Sequence, residues 1–296
     1  MNPIRVFAPA KINLSLCVLG RRNDGYHALE SLVGFASFGD TVIINPTQPS
    51  QFRVSGPFAS ALAGEGDNLV LRAQRGLEQL CGQPLPGQIE LIKNIPVASG
   101  VGGGSTDAAA TLRGLAQCYD VPDHAVRSIA QACGADVPAC LDGGGKWMTG
   151  IGHDLAPVAL PQNIGLVLAR PPHAVSTASV FSALQAPLLD QQVQPNSPPD
   201  IADRADLLKF VADARNDLEA PAIQIVPEIE HALARLRAIG GVARMSGSGA
   251  TCFALFAAED MPHDLTDRLD FPRDWWVQEA RLIGAGDTEL HQINQL

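Results

Sequence analysis

No two of the six cysteines form a C-x-x-C pair, and no histidine lies at zinc-ligand spacing from Cys17, Cys81, Cys118, Cys133, Cys140 or Cys252. That argues against zinc ribbons and fingers. In a chain of this length the thiols read as free groups in a reducing compartment. Positive charge is also scarce: 21 Lys and Arg against 31 Asp and Glu leave a net charge of −10. A field of that sign repels nucleic acid, so any phosphate site has to be local, built from backbone N–H groups and a helix N-terminus. No window approaches eighteen uninterrupted apolar residues, and no membrane span is expected. The opening Met-Asn-Pro-Ile-Arg-Val-Phe lacks a basic segment followed by an apolar one, so it is not read as a secretory leader, and the expected location is the cytoplasm.

What is present describes an ordinary globular chain. It has 296 residues, 46% hydrophobic and 18% charged, enough for one large domain or two medium ones. Residues 4–8 read as a strand. Residues 11–19 alternate, with Ile12, Leu14, Leu16 and Val18 on one face and Lys11, Asn13, Ser15 and Cys17 on the other, which predicts a half-buried strand. A turn follows at 22–25. Further strands are expected over 41–45, 51–55, 88–93, 164–169, 242–245, 251–256 and 275–282. Helices are expected over 69–81, capped by Asp67 or Asn68, from Ser105 onward, and over 123–133, 176–184, 205–215 and 227–239. The Pro-, Gln- and Asp-rich stretch 185–206 reads as an exposed loop. Helices and antiparallel-looking strands mix in both halves, so the fold class is α+β in two domains, divided near residue 158.

The central feature is Pro96-Val-Ala-Ser-Gly-Val-Gly-Gly-Gly-Ser-Thr-Asp107, placed between a strand and a helix. Four glycines in five positions let backbone approach a ligand closely, and the following helix turns its positive end toward it. That combination suits a polyphosphate, and the hydroxyls of Ser105 and Thr106 can cap the helix or face phosphate and its metal. No Lys follows Gly104, which excludes a Walker A loop; Ser105 stands where a dinucleotide fingerprint needs its third glycine.

This loop, with Pro9-Ala-Lys-Ile-Asn-Leu14 before it and Ser246-Gly-Ser-Gly-Ala-Thr-Cys-Phe253 after it, resembles the three ordered motifs of the GHMP kinases. The resemblance implies an N-terminal nucleotide-loop domain, 1–158, and a C-terminal ferredoxin-like domain, 159–296. It implies ATP as co-substrate with Mg²⁺, held by Pro96, Val97, Ala98, Ser99, Gly100, Val101, Gly102, Gly103, Gly104, Ser105 and Thr106. Asn68 would lie near adenine or ribose, where an N-cap explains it equally. Lys93 would lie near the nucleotide, where an exposed strand-end lysine is the alternative.

By the same resemblance Asp136 is the catalytic carboxylate and Lys11 its cationic partner. The 246–251 loop would close over the site, and Asp107 would stabilise the helix end. Asp24-Gly-Tyr-His27 and Gly134-Ala-Asp-Val-Pro138 resemble the branch whose small-molecule substrate carries a cytidine diphosphate group. This implies Asn13, Tyr26, His27, Thr177 and Phe181 as substrate contacts, with neither nucleic acid nor membrane as partner. Another GHMP kinase, of the homoserine or mevalonate type, a non-catalytic relative and a dinucleotide-binding oxidoreductase are the competing readings.

Overall fold

The computed structural model describes residues 2–62, 67–189, 194–262, 268, 270–287 and 293–295. Strand β1 (Ile4–Asn13) runs antiparallel to the long β3 (His27–Asn45), with Ile4 opposite Ile44 and Asn13 opposite Val33. Between them the register breaks: Pro9 faces Gly39 and Lys11 faces Phe35, so β3 uses two more residues than β1. This irregularity is where the two halves of the molecule meet. Strand β11 (Trp276–Leu282) joins β3 there, Leu282 opposite Ala36. The buried side chains of β1 change core at the same place. Ile4, Val6 and Ala8 belong to one apolar cluster, and Ala10 and Ile12 to another, joined by Leu14 just past the strand.

On the N-terminal side β3 also pairs with β2 (Cys17–Arg21), β5 (Gln88–Ile92) and β6 (Lys146–Thr149), while β4 (Gln51–Ser55) lies parallel to β5 and β7 (Asp154–Pro157) antiparallel to β6. Helix α1 (Leu69–Cys81) starts at Asn68, whose Oδ1 accepts from the Leu71 amide at 3.0 Å, and ends at the left-handed Gly82. Helix α2 (Gly103–Tyr119) packs on β1 through small residues. A Cβ on Gly114 would meet Ile44 Cδ1 at 2.6 Å, so glycine permits the close approach. Helix α3 (Asp123–Cys133) matches the sequence expectation residue for residue.

On the C-terminal side the antiparallel strands β11, β8 (Ile164–Arg170), β10 (Cys252–Ala257) and β9 (Val242–Met245) lie in that order. All seven residues of β8 are buried, on both faces. Val167 and Ala169 pack with Ile229, Leu233 and Leu236 of one helix (Glu228–Ala238), and Leu166 and Leu168 with Leu207 and Val211 of another (Arg204–Asp213). Helix Thr177–Leu184 carries Phe181 toward the first half.

Two expectations change. The alternating stretch 11–19 is not one half-buried strand. It breaks at Leu14–Leu16, whose amides bond to Leu32 and Arg215 carbonyls, and its polar face is also buried, with Lys11 at 3%, Asn13 at 6% and Ser15 at 5% exposure. The reason is that this face looks onto the other motif loops rather than onto water. The stretch 185–206 is also more than a loose loop. Arg21 exchanges backbone hydrogen bonds with Pro187 and Leu189, and Asn196 bonds to the Glu30 carboxylate at 2.7 and 2.9 Å. Residues 190–193 of that stretch lie outside the described residues. No helix among the described residues is long and apolar enough to cross a membrane.

Candidate active site

The glycine-rich loop leaves β5 and enters α2 two residues earlier than Ser105. The N-cap is Gly102 in the left-handed region (φ 63°), with no side-chain cap. The Ser105 and Thr106 amides donate to the Gly102 carbonyl at 2.9 and 3.0 Å, which leaves the Gly103 and Gly104 N–H groups at the positive end of a seventeen-residue helix. Thr106 is turned away: its hydroxyl donates to the Gly103 carbonyl at 2.9 Å. Val101 is also turned away, buried in the core, though its carbonyl accepts from the Lys11 amide at 2.9 Å. Ser105 remains on the cleft side.

The three sequence motifs converge by direct bonds. Ser246 Oγ accepts from the Asn13 amide at 3.1 Å and donates to the Gly100 carbonyl at 3.1 Å. The Thr251 amide donates to the Ser99 carbonyl at 3.1 Å. Gly100 (φ 80°) admits no side chain, because a Cβ would lie 2.4 Å from the Gly249 oxygen. Replacing Gly100 with Ala is therefore expected to push the loop off the 246–251 turn. We expect at least about a tenfold rise in the KM for ATP, read by steady-state ADP release, if that loop holds the phosphates.

Asp136 stands at the start of the helix Val137–Asp142, which sequence reasoning missed because it is only six residues long. Its carboxylate does not cap that helix. It pairs with Lys11 Nζ at 2.7 Å, the lysine side chain 4% exposed and the aspartate 40% exposed. The pair sits at the seam of two adjoining cavities. One, of about 540 Å³, is lined by the glycine loop, Asn68, Lys93, Lys11 and Asn13. The other, of about 830 Å³, is lined by Tyr26, His27, Thr177 and Phe181. Leu29, Ser105, Asp136, Ile151, Thr177 and Phe181 border both.

In the second cavity the His27 ring stacks on Phe181 with centroids 4.7 Å apart and planes 30° apart. Burial, aided by the Arg21 charge, holds the His27 imidazole below its usual pKa, which favours the neutral ring at pH 7. Tyr26 is 61% exposed beside it, its amide bonded to the Asp24 carboxylate at 3.1 Å. Thr177 Oγ1 and Ser248 Oγ lie 2.8 Å apart, linking the Phe181 helix to the third motif.

Lys93 is not the exposed strand-end residue that the sequence left open. It is 2% exposed, its ammonium 2.5 Å from Asp40 and 2.7 Å from Asp107, directly beneath Gly103. Asp107 accordingly serves this buried cluster rather than the helix end. Sequence reasoning also missed Asn216, whose Nδ2 donates to the Met245 and Gly247 carbonyls at 2.8 and 2.9 Å and so holds the third motif. Its signal was weak: Asn216-Asp217 follows a helix without any periodicity of its own.

Comparison with known proteins bears directly on this arrangement. The family description GHMP kinases N terminal domain matches residues 68–144, and GHMP kinases C terminal matches residues 200–270. A 4-diphosphocytidyl-2-C-methyl-D-erythritol kinase from Rhizobium etli (strain CIAT 652) is 44% identical over 289 residues, covering 94% of this chain and 95% of that protein. The chain belongs to the GHMP kinase family. A second relative with the same name, from Methylobacterium radiotolerans, is 48% identical over 256 residues, covering 84% of this chain and 88% of its own. A crystal structure of 4-(cytidine 5'-diphospho)-2C-methyl-D-erythritol kinase superposes with a TM-score of 0.75 at 33% identity, covering 95% of this chain and all of that one. Homoserine kinase from Cytophaga hutchinsonii, with a TM-score of 0.68 at 18% identity, shares the GHMP kinase fold. The two-domain α+β expectation is thus met, and the oxidoreductase reading falls.

Proposed function

We propose that the protein transfers the γ-phosphoryl group of ATP to the 2-hydroxyl of 4-diphosphocytidyl-2-C-methyl-D-erythritol, giving the 2-phosphate and ADP, a step of non-mevalonate isoprenoid synthesis. The observation that carries this reading is the Lys11–Asp136 pair at the seam between a glycine-loop cavity and an aromatic one. ATP takes the first cavity, with its phosphates against the α2 N-terminus and adenine toward Asn68. The cytosine takes the second, between Tyr26 and Phe181 and within reach of His27. The acceptor alcohol then lies over Asp136.

A hydroxyl is a weak nucleophile. Asp136 accepts its proton as the oxygen attacks phosphorus, and Lys11 holds that carboxylate in place and stabilises charge on the transferring group. The oxygen donors facing the cleft suit Mg²⁺, which binds through one or two protein oxygens and the phosphates. Ser105 Oγ, on the cleft side of the α2 N-terminus, would hold it together with the phosphates, and no cluster of three or more His, Cys, Asp or Glu exists among the described residues to offer another cage. When bound, the ion neutralises charge on the β- and γ-phosphates.

The division near residue 158 is supported by the two family segments, 68–144 and 200–270, which fall on opposite sides of it. A cytoplasmic location accords with a soluble ATP-dependent reaction. ADP release should be measured with Mg-ATP and the cytidylyl substrate, homoserine or mevalonate. Turnover with the cytidylyl substrate alone is expected. Turnover only with another alcohol would discard the roles given to Tyr26 and His27, and none with any would point to a non-catalytic relative.

A further inference from the structure

Asn13 is fixed from behind by a chain of hydrogen bonds that uses none of the residues assigned above. Its Nδ2 donates to Ser31 Oγ at 2.8 Å, and Ser31 Oγ donates to the Ser15 carbonyl at 2.5 Å. Ser31 is fully buried, at 0% exposure, in the first third of β3. Ser15 is itself held, its Oγ accepting from the Leu32 amide at 2.9 Å.

The chain has a direction. A carbonyl oxygen only accepts, so the one hydroxyl proton of Ser31 lies on the Ser15 side. Ser31 then shows a lone pair to Asn13, and the NH₂ end of the amide satisfies it. The reverse orientation would set two acceptors face to face in a site closed to water. Asn13 must therefore turn Oδ1 the other way, where a Cβ on Gly247 would lie 3.3 Å from it across the cleft. Among the described residues Oδ1 has no hydrogen-bond partner.

We propose that Ser31 is a positioning residue that fixes the Asn13 amide with its oxygen toward the substrate, so that the site reads a hydroxyl donor beside the one being phosphorylated. This rests on the proposed kinase reaction. The attacked hydroxyl has a single proton, and that proton is given to Asp136. Oδ1 of Asn13, two residues along β1 from Lys11 and on the same face, is left for a vicinal O–H of the polyol. The site thus selects alcohols with a second hydroxyl next to the acceptor carbon.

The test is steady-state kinetics on Ser31→Ala, Ser31→Thr and Ser31→Cys with the parent substrate and its 1-deoxy and 3-deoxy analogues. Ser31→Ala should raise the KM of the alcohol about tenfold or more and leave the KM of ATP within about twofold. Ser31→Thr keeps the hydroxyl and should restore it; Ser31→Cys, a weak donor and acceptor, should not. Against wild type one deoxy analogue should lose at least about tenfold in kcat/KM, and against Ser31→Ala that loss should shrink below about threefold. Equal losses in both enzymes, an unchanged alcohol KM, or a Ser31→Thr as impaired as Ser31→Ala would overturn the role of Ser31. Absent turnover of the parent substrate by the wild type would instead remove the reaction on which the role depends.

Discussion

Replacing Asp136 with Ala should lower kcat by at least about a hundredfold, and Lys11→Ala should do the same. The two groups touch at 2.7 Å, so they act as one unit, and the double variant should lose little more than the worse single one. In the proposed binding mode ATP rests mainly on backbone and on the α2 N-terminus, so its KM should stay within a few-fold in both. The fold should survive, because Asp136 is 40% exposed and water can reach the lysine left behind. Asp136→Asn separates two ways of using the carboxylate. It keeps shape and hydrogen bonding but cannot take a proton. A rate close to that of Asp136→Ala means proton acceptance matters, and a rate close to wild type means orientation suffices. Near-wild-type rates in both Asp136→Ala and Lys11→Ala would sink the assignment of the site.

How much of this was readable in the chain depends on whether the cause was local. Helices α1 and α3 were placed to the residue because caps and turn glycines are local chemistry: Asn68 and Gly82 bound one, and Gly134 ends the other. The glycine loop was legible for the same reason. What escaped were features set by partners far away in sequence. The nineteen-residue strand β3 was read only over 41–45, because Gly34 and Gly39 interrupt its pattern, while the neighbours that demand it (β1, β2, β5, β6 and β11) come from across the chain. Lys11, Asn13 and Ser15 looked like a solvated strand face, yet residues 246–251 cover the site from more than two hundred positions away. Ser31 and Asn216 carry no motif at all. Their roles exist only in hydrogen bonds that join separate elements.

The same distinction governs the largest stability effect expected. Asp40, Lys93 and Asp107 come from β3, the end of β5 and the first turns of α2, and all three are nearly or fully buried. Asp40 also accepts from the Asn94 and Ile95 amides at 2.5 and 2.8 Å, so the cluster ties down the strand end from which the glycine loop springs. Burial disfavours the Lys93 ammonium, but Asp107 and Asp40 outweigh it and raise its pKa. Burial pushes Asp107 well above the usual carboxylate range, with Lys93 only partly offsetting it. Lys93→Met leaves two buried carboxylates without a cation and should cost about 3–5 kcal/mol in denaturant unfolding. Asp107→Asn should cost far less, because Lys93 keeps Asp40. The pH dependence follows from the raised Asp107 pKa. The folded state holds that proton more tightly than the unfolded one, so its contribution is complete below the ordinary value of 3.8 and is lost as pH rises through the folded value. Asp107→Asn should therefore gain on wild type as pH is raised from 4 toward neutrality. Lys93, with its own raised pKa, contributes in full below 10.5 and loses that contribution only as pH climbs through its folded value, so the two effects separate on the pH axis. A Lys93→Met protein as stable as wild type at neutral pH would show that the three charges do not hold the loop's anchor.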